Sequence, residues 1–222
     1  MLSARDREIV AWISGLGAAS ALDVAVRFGV DERSVYRRMR TLVGERLLSV
    51  HRVLHRQPGL YAATPEGLRW CGFGGAAVQR LGPANFVHQG AVSRVAAALG
   101  RGGLELLGER EFRLRERREE RLLGSVPLGS GAALHRPDLL ALAGRRRVAL
   151  EVELTVKSPR RLERICTAYA RARHLDGVIY LAAPGAARAL RRAVAGSRAG
   201  ARVRVVALHE TAAVHAALRA ER

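Results

Sequence analysis

The sequence predicts a mixed α/β chain, α+β over its whole length, in two parts. A helical N-terminal third carrying a β-hairpin leads into an α/β sandwich with a central mixed sheet. Three observations predict this. Apolar residues between positions 5 and 43 recur at helical spacing and are interrupted by Gly17 and Gly29. Residues 71–86 are rich in Gly and Ala, with Pro83, and read as a linker between domains at 1–70 and 87–222. Beyond that linker, short apolar runs alternate with helical patterns, as in a sheet covered by helices.

Length and composition bound the problem. A chain of 222 residues with 49% hydrophobic residues is long enough for one large or two small cores. It has no apolar run long enough to span a membrane and opens on charges, Arg5-Asp6-Arg7-Glu8, so neither a membrane partner nor a signal peptide is expected. Cys71 and Cys166 lie far apart, with no His or Cys at metal spacing, and read as reduced thiols of a cytoplasmic protein. The formal net charge of +18 points to a polyanion as partner. The excess is uneven: residues 131–222 hold 18 cationic side chains against 7 acidic ones. All but one of the 38 cationic residues are Arg, and the exception is Lys157. GC-rich coding would explain Arg in place of Lys, but not the excess over acids.

From the start, Ile9, Val10, Ile13 and Leu16 form one helical face, ended by Gly17. Ser20 can cap a short second helix through Leu22, Val24 and Phe28. After the Gly29-Val30 turn, Asp31 caps a third helix over 32–43. That helix turns Val35, Met39 and Leu42 inward and Arg33, Ser34, Arg37, Arg38 and Arg40 outward, with Tyr36 at the margin. Leu47 to Leu54 alternates as a strand, His55 to Gly59 turns, and Leu60 to Ala63 returns. Thr64-Pro65-Glu66-Gly67 opens a further helix. This succession resembles a winged helix-turn-helix. The resemblance implies a recognition helix in the major groove of duplex DNA, with Arg33 and Arg37 as the best candidates for base edges. Arg52 and Arg56 on the wing would meet phosphate or minor groove. A solvated Arg face on an ordinary surface helix is the plainer reading of the same row.

In the second part, His88 to Leu99 is periodic and Gly100 to Gly103 stops it. A strand lies around Leu104–Leu107, and the mixed-charge run Arg115 to Arg121 reads as a solvated helix or arm. Two strands then flank the basic turn Gly144-Arg145-Arg146-Arg147. Ser158-Pro159 starts a helix to about His174, burying Leu162, Ile165, Cys166 and Tyr169 and presenting Arg160, Arg161, Arg164, Arg171 and Arg173. Strands at 177–182 and 203–208 alternate with helices around Leu190 and from Glu210.

The chemistry concentrates in those two strands. Asp138 starts one, and Glu151 and Glu153 sit inside the other, on the face shared with Thr155 and Lys157. Two carboxylates on a half-buried strand repel each other and lose hydration unless a cation lies between them. Three oxygen ligands near one point suit Mg²⁺ or Mn²⁺. Pro137-Asp138, then Glu151-Val152-Glu153, then Lys157 resembles the PD-(D/E)xK nuclease superfamily. Here Glu153 stands where that pattern has Lys. In an extended strand Lys157 would lie roughly 13 Å beyond Glu153, so it joins the acids only if the strand bends or ends near Thr155.

With the N-terminal part, Glu109-Arg110-Glu111, Arg136-Pro137-Asp138 and the run Arg161-Leu162, Ile165, Tyr169, the whole chain resembles the replication-relaxation family. Members of that family occur on plasmids, phages and integrative elements. The resemblance implies DNA cleavage or nicking with Asp138, Glu151 and Glu153 holding Mg²⁺ or Mn²⁺. Lys157, or an Arg of the 160–173 helix, would stabilise charge on phosphate. Arg160, Arg161 and Arg164 are further DNA contacts in this reading, and Glu109 or Glu111 could add an acid. The alternative is a non-enzymatic regulator of replication or transcription. Its nuclease-like domain would serve as a homodimer or DNA-backbone module, with the Glu pair neutralised by protein cations.

Overall fold

The computed structural model describes residues 2–129, 133–197 and 199–219. It is a mixed α/β chain that divides into two compact units. The first takes in residues 1–103 and 107–114, and the second residues 104–106 and 115–222. The division therefore falls later than the 71–86 linker expected from composition.

The first unit begins with α1 (Ala4–Leu16), β1 (Ala19–Ser20), α2 (Ala21–Phe28) and α3 (Glu32–Gly44). Each helix starts at a side-chain cap. Ser3 and Ser20 form capping boxes with Asp6 and Asp23, and Asp31 accepts from the Ser34 backbone N–H at 2.9 Å. Gly29 ends α2 in the left-handed region at φ 63°, which glycine enters without a Cβ penalty. The inward residues Val35, Met39 and Leu42 are buried as their spacing predicts.

A hairpin follows, β2 (Leu48–His51) and β3 (Leu60–Ala63), then α4 (Pro65–Trp70), capped by Thr64. The first strand is shorter than the 47–54 run suggested. β1 pairs with β3, making a three-stranded antiparallel sheet in the order β1-β3-β2. A two-residue strand carries no period, so only the fold reveals it. Gly67 is required here, because a Cβ at that position would land on the Leu47 carbonyl oxygen.

α5 (Pro83–Arg101) packs on α2 and β1, which is why the first unit reaches to residue 103. Residues 71–86 are also held down rather than free. Phe73 is buried in the helical core, and Arg110 donates to Ala77 O, to Gln79 Oε1 at 3.2 Å and to Ser14 O at 3.1 Å. Burial lowers the Arg110 pKa.

β4 (Glu105–Gly108) and α6 (Glu109–Glu119) straddle the division. The second unit continues with β5 (Val126–Pro127) paired to β6 (Leu134–His135), then β7 (Leu139–Ala143), β8 (Arg146–Glu153), α7 (Pro159–Arg171), β9 (Gly177–Ala182), α8 (Pro184–Gly196), β10 (Val203–Ala207) and α9 (Thr211–Arg219). Its main sheet runs β10-β9-β8-β7-β4. β7 and β8 form an antiparallel hairpin in the register Leu139↔Leu150, turned through Gly144 at φ 64°. β8, β9 and β10 are parallel, joined by α7 and α8, so the sheet is mixed. Val148 to Glu153 are buried on both faces of β8, as expected for an inner strand covered by helices.

Candidate functional site

Two groups of predicted residues have to be placed, the arginines and the acids. On α3, Arg33, Arg37 and Arg40 are exposed and Ser34 is half-exposed. The Asp31 cap fixes where the helix begins. Hydrogen bonds from the Ser34 hydroxyl and backbone N–H hold its carboxylate below the ordinary range. Arg38 stands apart from that row. Its Nε and NH2 groups grip Asp6, a carboxylate 1% exposed that also accepts from the Ser3 backbone and hydroxyl. Arg38 therefore ties α3 to the first turn of α1, where sequence periodicity had placed it with the outward row. Burial would raise the Asp6 pKa, but the bonds from Arg38 and Ser3 more than offset it, and the net shift is downward. On the hairpin, Arg52 and Arg56 are both exposed, and Arg56 takes the left-handed conformation at φ 59° in the turn.

The acids meet in the second unit at the C-terminal end of β8. Glu151 and Glu153 are 4% and 3% exposed. Each has its own partner. Glu151 Oε1 accepts from the Tyr169 hydroxyl and from His135 Nε2, both at 2.5 Å. Glu153 Oε2 accepts from Lys157 Nζ. Asp138 Oδ2 accepts from the Val152 backbone N–H at 2.7 Å, bracing the start of β7 against β8.

The Lys157 contact exists because β8 stops at Glu153 and the chain turns before α7. In a continued strand that ammonium could not come back to Glu153. Ser158 stands at the N-cap position of α7, yet its side chain makes no capping bond, and Pro159 occupies the first helical turn.

The surroundings of Glu151 are aromatic. Tyr180 is its register partner on β9, the Tyr169 and Tyr180 rings meet edge to face at 6.4 Å, and His135 meets Tyr169 at 5.5 Å. Burial, reinforced by the negative charge of Glu151, pushes the Tyr169 and Tyr180 hydroxyls well above the ordinary phenol value. Tyr169 therefore keeps its proton and serves Glu151 as a donor. Beside them, burial lifts the Cys166 thiol to about 11, which keeps it an inert thiol rather than a nucleophile.

As a divalent-metal site the cluster fits poorly. Among the described residues, no three His, Cys, Asp or Glu side chains come together in a way that could hold an ion. One oxygen of each carboxylate is held by a protein donor instead: Glu151 by Tyr169 and His135, Glu153 by Lys157, and Asp138 by the Val152 N–H. Glu109 and Glu111 belong to the first unit, where the Glu111 carboxylate lies against Gly15.

His135 reads from the sequence as a strand-end residue rather than a base and does end β6, but its bond to Glu151 was missed, as was Tyr180, and Tyr169 was read only as a buried apolar contact. The available signal was a His three positions before Asp138 and two Tyr hydroxyls in otherwise apolar stretches, since a buried hydroxyl needs a partner. Arg160, Arg161 and Arg164 lie on the exposed face of α7, as their spacing predicts. Among the described residues, no helix is long and apolar enough to cross a membrane. Compared with known protein families, with characterised proteins and with solved structures, the chain matches none.

Proposed function

We propose that this chain binds duplex DNA, reading it with α3 and the β2–β3 hairpin in the manner of a winged helix-turn-helix. The observation that carries the reading is the exposed row Arg33, Arg37 and Arg40 on a helix whose opposite face is core. The exposed hairpin arginines Arg52 and Arg56 support it. Arg can donate two hydrogen bonds to guanine O6 and N7 in the major groove, while hairpin cations suit phosphate or a narrow minor groove. The charge of +18 supplies sequence-independent attraction to the backbone.

The experiment is fluorescence anisotropy with labelled duplexes selected from a random pool. Arg33→Ala and Arg37→Ala should each weaken binding to the selected sequence about tenfold or more and relax preference at one position. Equal loss on every sequence would reduce the row to backbone attraction. No binding by the wild type would sink the reading.

A second reading, metal-dependent cutting of DNA by a PD-(D/E)xK-like second unit of replication-relaxation type, is favoured by one observation. Asp138, Glu151, Glu153 and Lys157 all lie about one end of β8. Against it, Glu151 and Glu153 would have to leave His135, Tyr169 and Lys157 before they could take Mg²⁺ or Mn²⁺. In the binding-only reading those donors are the neutralising partners, and the second unit acts as a backbone or homodimer module. Incubation of supercoiled plasmid with either ion, beside a Glu151→Ala, Glu153→Ala double variant, separates the two. Nicking by the wild type alone supports cutting, and intact plasmid with DNA still bound supports binding only.

A further inference from the structure

A cleft of about 570 Å³ opens in the second unit, away from the acids, between the flank of α7 and the chain at Leu122, Pro127 and Gly129. Its helical wall is Arg164, Thr167, Ala168 and Arg171, the i, i+3, i+4, i+7 stripe of one face, extended by Arg173 and His174 past the helix end. Among the described residues no carboxylate lines it. Arg164, Arg171 and Arg173 are exposed, and among the described residues none of them makes an ion pair or a hydrogen bond.

The far wall is pinned by an acid of α6. Glu116 accepts from the backbone N–H groups of Leu123, Gly124 and Ser125 at 2.8 to 3.0 Å and from the Ser125 hydroxyl at 2.6 Å. His174 Nε2 donates to Ser125 O at 3.0 Å, joining the two walls. The cleft is thus a held concavity in which three guanidinium groups are gathered with no acid among the described lining residues. Arg171, in the last helical turn, is also favoured there by the helix dipole, but Arg164 lies two turns earlier and has no such reason to be cationic.

We infer that this cleft takes the phosphodiester backbone of DNA, a contact separate from the α3 row. The inference rests on the DNA-binding reading above. Seven residues of helix separate Arg164 from Arg171 by about 10 Å. That is too wide for one small anion to bridge and suits neighbouring phosphates of a strand. Guanidinium suits the role because its planar fork pairs with two phosphate oxygens at once.

The test is the salt dependence of duplex binding by the full chain, followed by anisotropy, with far-UV circular dichroism to verify folding. The Arg164→Ala, Arg171→Ala, Arg173→Ala variant should weaken binding equally on every sequence. It should reduce the slope of log K against log salt by roughly 2 to 3, close to one unit per lost phosphate contact. The matching triple Lys variant should keep most of the slope. An unchanged slope in the Ala variant, with the wild type binding DNA, overturns the cleft assignment and leaves the DNA-binding reading standing. So does loss of inorganic-phosphate binding by calorimetry without any change toward DNA, which would give the cleft to a small anion. A wild type that binds no DNA at all removes both the reading and this inference.

Discussion

The two units bury acids in opposite ways. In the helical unit Asp6 and Asp23 each sit three residues after a serine N-cap and bond back to it, so the adjacent turn supplies part of their satisfaction, with Arg38 and Ser93 adding the rest. In the α/β unit Glu151 and Glu153 lie inside a strand whose N–H groups are paired to β7 and β9 or, at Val152, to Asp138. Their donors come from β6, from α7 and from the turn after β8. A helix start offers free N–H groups to the carboxylate beside it, whereas an inner strand offers none to a carboxylate of its own. An acid at a helix start thus has a structural reason for being there. An acid in an inner strand has to be supplied with distant partners, and it is there that function is worth testing.

That contrast can be broken by mutation, because both tryptophans, Trp12 and Trp70, report on the first unit alone. Glu151→Ala should have the largest effect, about 3 kcal/mol, because it strands the Tyr169 hydroxyl and His135 Nε2 together in the interior. It should appear in urea titrations followed by far-UV circular dichroism, with the tryptophan fluorescence midpoint unmoved. A shift of both probes by the same amount would show that the units do not unfold separately. Asp6→Ala comes next, about 2 kcal/mol, read this time by tryptophan fluorescence, since it removes a capping box and the Arg38 anchor together.

The acid limit of stability sharpens the comparison further. Burial alone would raise the Glu116 pKa, but the Ser125 hydroxyl and the N–H groups of residues 123–125 outweigh it, and the carboxyl is held below its ordinary 4.5. A group depressed in the folded state adds stability above its unfolded pKa and loses it as pH falls through the folded value. Glu116→Gln should therefore cost about 1–2 kcal/mol at neutral pH and almost nothing once wild-type Glu116 is protonated. A difference that persisted at low pH would show that the cost is one of shape rather than charge. The smallest effect belongs to Lys157→Ala, about 1 kcal/mol, because the ammonium is partly in water while Glu153 is not. Lys157→Arg should recover most of that loss, and a failure to do so would point to a need for the compact ammonium itself.

What the sequence by itself determined is local. Ser20, Asp31 and Thr64 start helices, Gly17 and Gly29 end them, and the buried stripes Val35-Met39-Leu42 and Leu162-Ile165-Tyr169 follow from helical period alone. These features depend on residues within one or two helical turns of each other, so they can be read in order along the chain. The hairpin and the five strands of the main sheet were legible for the same reason, in alternation and apolar runs, whereas β5 lies in a stretch, 124–131, that reads as a loop.

Only the tertiary structure decided the rest. It assigned α5 to the first unit through its packing on α2 and β1, and held 71–86 down through Arg110. It moved Arg38 from the outward row to Asp6, 32 positions away. It ended β8 at Glu153 so that Lys157 returns, and gave Glu151 donors 16 residues before and 18 after it. Asp138, Glu151, Glu153 and Lys157 were legible as a group, but not which of them would already have partners. The physical reason is that a buried carboxylate must be satisfied by whatever donor the packed fold brings within 3 Å or so. Sequence separation carries no record of that meeting.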